Sequence, residues 1–171
     1  SVTKSNAQEY SLGMWDDIFN TVHSKFPDVT TERMLVDATA ARMVLHPESL
    51  DVLVASNLFG DILTDIGGAI IGSLGMAPSG NINPERDYPS MFEPIHGSAF
   101  DIVGQNIANP IGMLLSGELM LDYLGAQAAA ERLRAAIIRV TRAGSTLTPD
   151  VGGAATTSAV CEAVVNALQA G

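Results

Sequence analysis

Asp61 and Asp65 lie four residues apart in the stretch Asn57-Leu58-Phe59-Gly60-Asp61-Ile62-Leu63-Thr64-Asp65. On a helix that spacing stacks two side chains on one face, one turn apart. Carboxylates stacked this way repel each other unless a cation sits between them. A hard divalent ion such as Mg²⁺ or Mn²⁺ does this with oxygen ligands. A solvated acidic face is the plain alternative. Asp37 stands between an apolar strand-like run and a helical segment, where capping is an ordinary reason for an aspartate. Lys4 closes a strand-like opening. A lone lysine is ordinarily a surface charge, but beside a metal–carboxylate site a nearby cation lowers its pKa and makes it a usable base. The run Glu93-Pro94-Ile95-His96-Gly97-Ser98-Ala99 ends a strand in small residues, which let backbone N–H groups approach an anion such as a phosphate. His96 has the chemistry to stack on or hydrogen-bond a ligand; a tight turn with a satisfied histidine is the alternative. Asp101 is placed to accept from ribose hydroxyls and to repel a 2′-phosphate.

The elements that must hold these residues alternate between strand and helix. Residues 1–4 read as a strand end. Leu12, Trp15, Ile18, Phe19, Val22 and Phe26 recur at helical spacing and predict an amphipathic helix over 11–25, closed by Pro27-Asp28. Residues 34–36 predict a strand and 38–45 a short helix stopped by His46-Pro47. An apolar run predicts a buried strand over 50–55, followed by a helix over 58–71. Residues 76–90 carry three prolines and many turn residues, and read as a loop crossing between domains. Residues 91–95 predict a strand and 96–109 an ordered loop. Helices are expected from Pro110 to about 123, over 126–143, and over 156–169, with Gly125 and Gly144 at their ends. This alternation is the signature of an α/β fold. Gly68 and Gly72 have small-xxx-small spacing, which here reads as close helix packing. No Gly-x-Gly-x-x-Gly fingerprint is present, so a nucleotide would bind by another route.

The chain has 171 residues, is 47% hydrophobic and 16% charged, and can bury a sizeable core. Nine Lys and Arg face nineteen Asp and Glu, for a net charge of -10. That balance argues against nucleic acid and anionic membrane as partners. It also means that an anionic substrate needs a metal or a local basic cluster. A single cysteine, Cys161, suits a reducing cytoplasm. No apolar run has transmembrane length and no signal-peptide pattern opens the chain.

Taken together these segments resemble the metal-dependent, decarboxylating β-hydroxyacid dehydrogenases: the isocitrate, isopropylmalate, tartrate and D-malate dehydrogenases. The stretch from Asn57 to Asp65 resembles that family's metal helix. Glu93 to Ala99, then Asp101-Ile102 and Ile107-Ala108-Asn109-Pro110, resembles its adenine-side cofactor loop. Thr148-Pro149-Asp150-Val151-Gly152-Gly153 resembles the segment before its last helix. Thr3-Lys4-Ser5-Asn6, Ala55-Ser56-Asn57 and the run from Pro78 to Arg86 look most like the tartrate/D-malate branch; isopropylmalate enzymes usually carry Glu where Ser56 stands.

The resemblance implies an isopropylmalate-dehydrogenase-like three-layer α/β fold, of which this chain is the C-terminal portion only. Residues 1–72 would come from the metal-binding, dimer-forming domain and 73–171 from the cofactor-side domain. Asp61 and Asp65 would ligate Mg²⁺ or Mn²⁺ from one subunit, with Asp37 and Lys4 reaching the same site from the other, so a homodimer is part of the mechanism. His96, Gly97, Ser98, Ala99, Asp101, Ile102 and Asn109 would line an NAD cleft, with Asp101 favouring NAD over NADP. Phe100 departs from the proline common there. The implied reaction is oxidation, with possible decarboxylation, of a 2-hydroxy diacid such as tartrate or D-malate. Lys4 would take the hydroxyl proton. The family's first half, with its substrate arginines, catalytic tyrosine and opening glycine-rich segment, has no counterpart here, so impaired turnover and exposed apolar surface are expected. Isopropylmalate dehydrogenase-type activity, a lyase on the same scaffold, and a non-catalytic dimerising module that binds metal or nucleotide are the competing readings.

Overall fold

The computed structural model describes residues 1–170, which divide into two compact units, Ser1–Gly67 and the residues from Gly68 onward. In the first unit, β1 (Val2–Thr3) pairs in parallel with β2 (Met34–Leu35), Val2 opposite Met34 and Thr3 opposite Leu35. Between them runs α1 (Glu9–His23). After β2 the chain turns straight into α2 (Val36–Leu45), and α3 (Asn57–Ile70) follows. The core of this unit is Val2, Leu12, Phe59 and Leu63, with Trp15, Val36, Met43 and Ile66 packed around it. Phe59, Leu63 and Ile66 recur at helical spacing and form the inner stripe of α3. Positions two residues away from such a stripe fall on the far side of a helix. The burial that seats α3 therefore turns Asp61 and Asp65 to solvent.

The predicted strand over 50–55 does not form. A 3-10 turn at Pro47–Ser49 leads into an irregular, extended stretch. Among the described residues one long-range backbone bond reaches it, from Val2 N to Val54 O at 2.9 Å, and a single bond is not a ladder. Nor is the run buried: Val52 is 84% exposed, and Leu53 and Val54 are exposed beside it. The apolar face predicted for α1 is covered only in part. Leu12 is buried and Trp15 and Phe19 are half-buried, but Ile18, Val22 and Phe26 stand in solvent.

The second unit is built on three helices: α4 (Ile111–Tyr123), α5 (Gln127–Ala143) and α6 (Thr157–Gln169). Leu133, Ala136, Ile137 and Val140 follow the helical repeat on α5 and meet Ile111 of α4 and Val160 and Val164 of α6 in one core. Gly144, in the left-handed region at φ 69°, ends α5, and the Thr156 hydroxyl caps α6 by accepting from Ala159 N. An antiparallel hairpin, β3 (Pro78–Asn81) with β4 (Met91–Pro94), lies against α4, with Gly80 opposite Phe92. Gly112 permits the close approach of β4 and of the turn before β3, since a Cβ there would stand 3.3 Å from Pro94 Cβ and 2.9 Å from Gly75 O. Buried Ser116 ties the layers together, donating to Gly112 O and accepting from Ser79 N. The structure thus corrects the loop expected over 76–90. Its first part is a strand, and proline is tolerated at Pro78 because it opens an edge.

Candidate functional site

Lys4 and Asp37 meet. Lys4 Nζ lies 2.8 Å from Asp37 Oδ1, with the lysine half-buried and the aspartate 66% exposed. The contact follows from topology. The parallel pairing of β1 with β2 brings the residue after β1 beside the first turn of α2. Asp37 is not the helix cap, a position held by Leu35 without any side-chain bond. It sits inside the first turn, where a negative charge suits the positive end of the helix. The hydrogen bond from Lys4 is the main reason its carboxyl is held below the usual carboxylate range.

Asp61 and Asp65 project from the outer face of α3, both exposed, and no side-chain hydrogen bond or ion pair engages either carboxylate among the described residues. No three His, Cys, Asp or Glu side chains converge in a metal-binding cluster among the described residues. The first unit thus presents two separate pairs, Lys4 with Asp37 and Asp61 with Asp65. Two free carboxylates one turn apart are suitable hard donors, and they fit a divalent ion only as part of a set completed by water, substrate or another copy.

In the second unit, residues 95–106 run from the end of β4 through irregular turns. His96 Nδ1 lies 3.1 Å from Gly97 O, and since a carbonyl only accepts, the bond is made with a proton on Nδ1. A Cβ built on Gly97 would meet nothing within 4 Å, so the chain itself leaves open space there. Ala99 adopts φ 42°, in the left-handed region that costs a residue with a Cβ roughly 1–2 kcal/mol. Ile102 N donates to Ala99 O, Gln105 Nε2 donates to the backbone carbonyl of Asp101, and Asp101 is exposed. Exposed, small-residue backbone of this kind fits a phosphate-bearing cofactor. Asn109, at the end of the segment, is only 8% exposed. Its Oδ1 accepts from Ile111 N and its Nδ2 donates to Asp150 Oδ2, both at 3.0 Å.

Asp150 and Ser73 carry no role in the sequence reading. Asp150 lies in a 3-10 turn, Pro149–Val151, and accepts from the Ser73 hydroxyl as well as from Asn109. Burial pushes its carboxyl up, but hydrogen bonds, from Ser73 and Asn109 among others, outweigh that and hold it below the usual range. With Asn109 it borders a cavity of about 470 Å³ whose other walls include Ile71, Met76, Val140 and Val160. Nothing in the spacing of residues 73, 109 and 150 marks them as neighbours.

With fold and side chains in view, the chain belongs to the isocitrate/isopropylmalate dehydrogenase family, which it matches across residues 1–168. Its fold is accordingly the α/β fold of that family. A solved isocitrate dehydrogenase from Methylococcus capsulatus superposes with a TM-score of 0.92 at 36% identity, covering 98% of this chain and 49% of that one. Among curated relatives, a probable tartrate dehydrogenase/decarboxylase of Agrobacterium vitis is 60% identical over 167 residues, covering 98% of this chain and 46% of its own length. The tartrate dehydrogenase/decarboxylase of Pseudomonas putida is 49% identical, covering 98% and 47%. The decarboxylating D-malate dehydrogenase of Escherichia coli is 47% identical, covering 96% and 46%. The chain spans about half the length of the curated relatives it matches. Among the described residues no helix is long and apolar enough to cross a membrane.

Proposed function

We propose that this chain serves NAD-linked, metal-dependent oxidation, with decarboxylation, of a 2-hydroxy diacid of the tartrate or D-malate class, in a cytoplasmic homodimer whose two copies share each site. One observation carries the reading: a lysine held 2.8 Å from a carboxylate, in a chain 60% identical to a probable tartrate dehydrogenase/decarboxylase. Residues 1–72 act as the metal-binding and dimerising part and 73–171 as the cofactor side. Asp61 and Asp65 hold Mg²⁺ or Mn²⁺ with Asp37 of the other copy. His96, Gly97, Ser98, Ala99, Asp101, Ile102 and Asn109 hold NAD. When bound, the metal supplies Lewis acidity at the substrate's 2-hydroxyl and NAD supplies hydride acceptance.

The residues of the chain do the remaining work. Lys4 takes the hydroxyl proton at Nζ. A lysine acts as a base only as the free amine. Asp37 turns from Lys4 to another cation during turnover, which its exposure permits. Asp101 accepts from ribose hydroxyls and disfavours a 2′-phosphate by like charge. The small side chains of Gly97, Ser98 and Ala99 leave backbone N–H groups within reach of phosphate oxygens.

Calorimetric titration of Mn²⁺ and NAD, with and without D-malate or tartrate, tests the reading. Asp61→Asn is expected to abolish Mn²⁺ heat while the far-UV circular dichroism stays unchanged. Undiminished metal affinity would reduce Asp61 to a surface charge. The exposed run over 52–54 and the other bare apolar side chains favour a second reading, a dimerising module without turnover. Metal or NAD heat with no rise in nicotinamide absorbance would support it.

A further inference from the structure

Asn109 has a carboxamide whose orientation is fixed from both ends. Oδ1 faces the N–H of Ile111, a donor, and Nδ2 faces Asp150 Oδ2, an acceptor, each at 3.0 Å. Reversing the amide would set donor against donor and acceptor against acceptor. The clamp on the far side is itself braced. The Ser73 hydroxyl donates to the same Asp150 oxygen, and Ser73 Oγ accepts from Gly75 N at 3.0 Å. Gly75 has no slack, since a Cβ there would stand 2.8 Å from Asn109 Cβ and 3.2 Å from Asp150 Oδ2. One Nδ2 hydrogen and one Oδ1 lone pair of Asn109 remain unspent, a donor and an acceptor whose direction Asp150 sets.

We infer that Asp150 is a positioning residue for the cofactor: through its hydrogen bond to Nδ2 it aims the Asn109 carboxamide and pins the end of the 96–109 segment. This rests on the reading of that segment as an NAD site. Asp150 need not touch the ligand, so its effect must pass through Asn109. That distinguishes it from a residue that merely stabilises the turn, whose removal would weaken binding whatever stands at 109.

A double-mutant cycle on the full chain reads this directly. NAD affinity is measured by calorimetry for the wild type, Asp150→Ala, Asn109→Ala and the double variant. Asp150→Ala is expected to weaken NAD about tenfold, the order of one charge-assisted hydrogen bond, but less than about twofold when Asn109 is already alanine. The Asn109 side-chain amide resonances should move in Asp150→Ala without NAD present. Equal losses in both backgrounds, or no loss in the first, overturn the inference and leave the NAD reading standing. A wild-type chain that gives no NAD heat overturns the NAD reading and takes the inference with it, whatever the amide resonances do. If Asp150→Ala does not fold, Asp150→Asn keeps the shape and one acceptor. It should weaken NAD about threefold, again only while Asn109 is present.

Discussion

Asp61 and Asp65 stand in solvent on α3 without a side-chain partner among the described residues, whereas Asp150 takes hydrogen bonds from Ser73 and Asn109 on a single oxygen. Both sets are acidic and both lie in segments that resemble family motifs. The first is left open by the packing of its helix, which spends only the opposite face. The second is consumed by its own unit. An acid that is to meet a ligand stays unsatisfied until the ligand arrives, while an acid that shapes a site is satisfied beforehand. The Lys4–Asp37 pair falls between, bonded yet exposed.

The contrast breaks most visibly if the turn carrying Asp150 proves soft. A Cβ on Gly153 would stand 1.9 Å from Leu147 O, and the backbone there is tied back by Gly153 N to Thr148 O. Gly153→Ala is expected to cost more than about 3 kcal/mol in urea unfolding. A variant within about 1 kcal/mol of wild type would show that the turn yields, and that Asp150 is not held in advance.

A smaller effect sharpens the same side. The Asp150 carboxyl is held below its usual value near 3.8. The folded chain then binds fewer protons than the unfolded one as pH falls through that range. Its contribution to stability is therefore complete above about pH 4 and is lost as pH drops through the lower folded value. Asp150→Asn should flatten the acid limb of a denaturant-midpoint against pH curve and leave its slope near neutrality unchanged. An unaltered acid limb would mean the Asp150 bonds carry no stability.

The smallest effect concerns the first unit. Asp37→Asn removes an exposed ion pair and should leave the urea midpoint essentially where it is in the wild type. A marked fall would make the pair a structural tie and remove Asp37 from the pool of available carboxylates.

Most helices were legible from an apolar stripe, whereas α4, apolar nearly all round, was marked by Pro110 before it and Gly125 after it. Leu133, Ile137 and Val140 announce α5, and Ile62, Leu63 and Ile66 announce α3; that its two aspartates face outward comes from the packing of Phe59, Leu63 and Ile66. The strands were less so. The run over 50–55 has the composition of a buried strand, but strand formation needs a partner, and among the described residues only Val2 bonds to it across the chain. Pro78-Ser79-Gly80-Asn81 has the composition of a turn and becomes a strand because β4 pairs with it and α4 supports it. The Lys4–Asp37 contact depends on a parallel pairing that no local pattern states. The Ser73, Asn109 and Asp150 cluster joins residues 77 and 41 apart in sequence, beyond the reach of any motif.

On α3 the residues that seat the helix and the residues offered to solvent are threaded through one another in a single rhythm. Each added or deleted residue rotates everything beyond it by about 100°. Substitution can retune the acids one at a time, but an insertion between Phe59 and Asp61 would drive greasy side chains into water and carboxylates into the interior. This stretch is therefore open to change in spelling and closed to change in length.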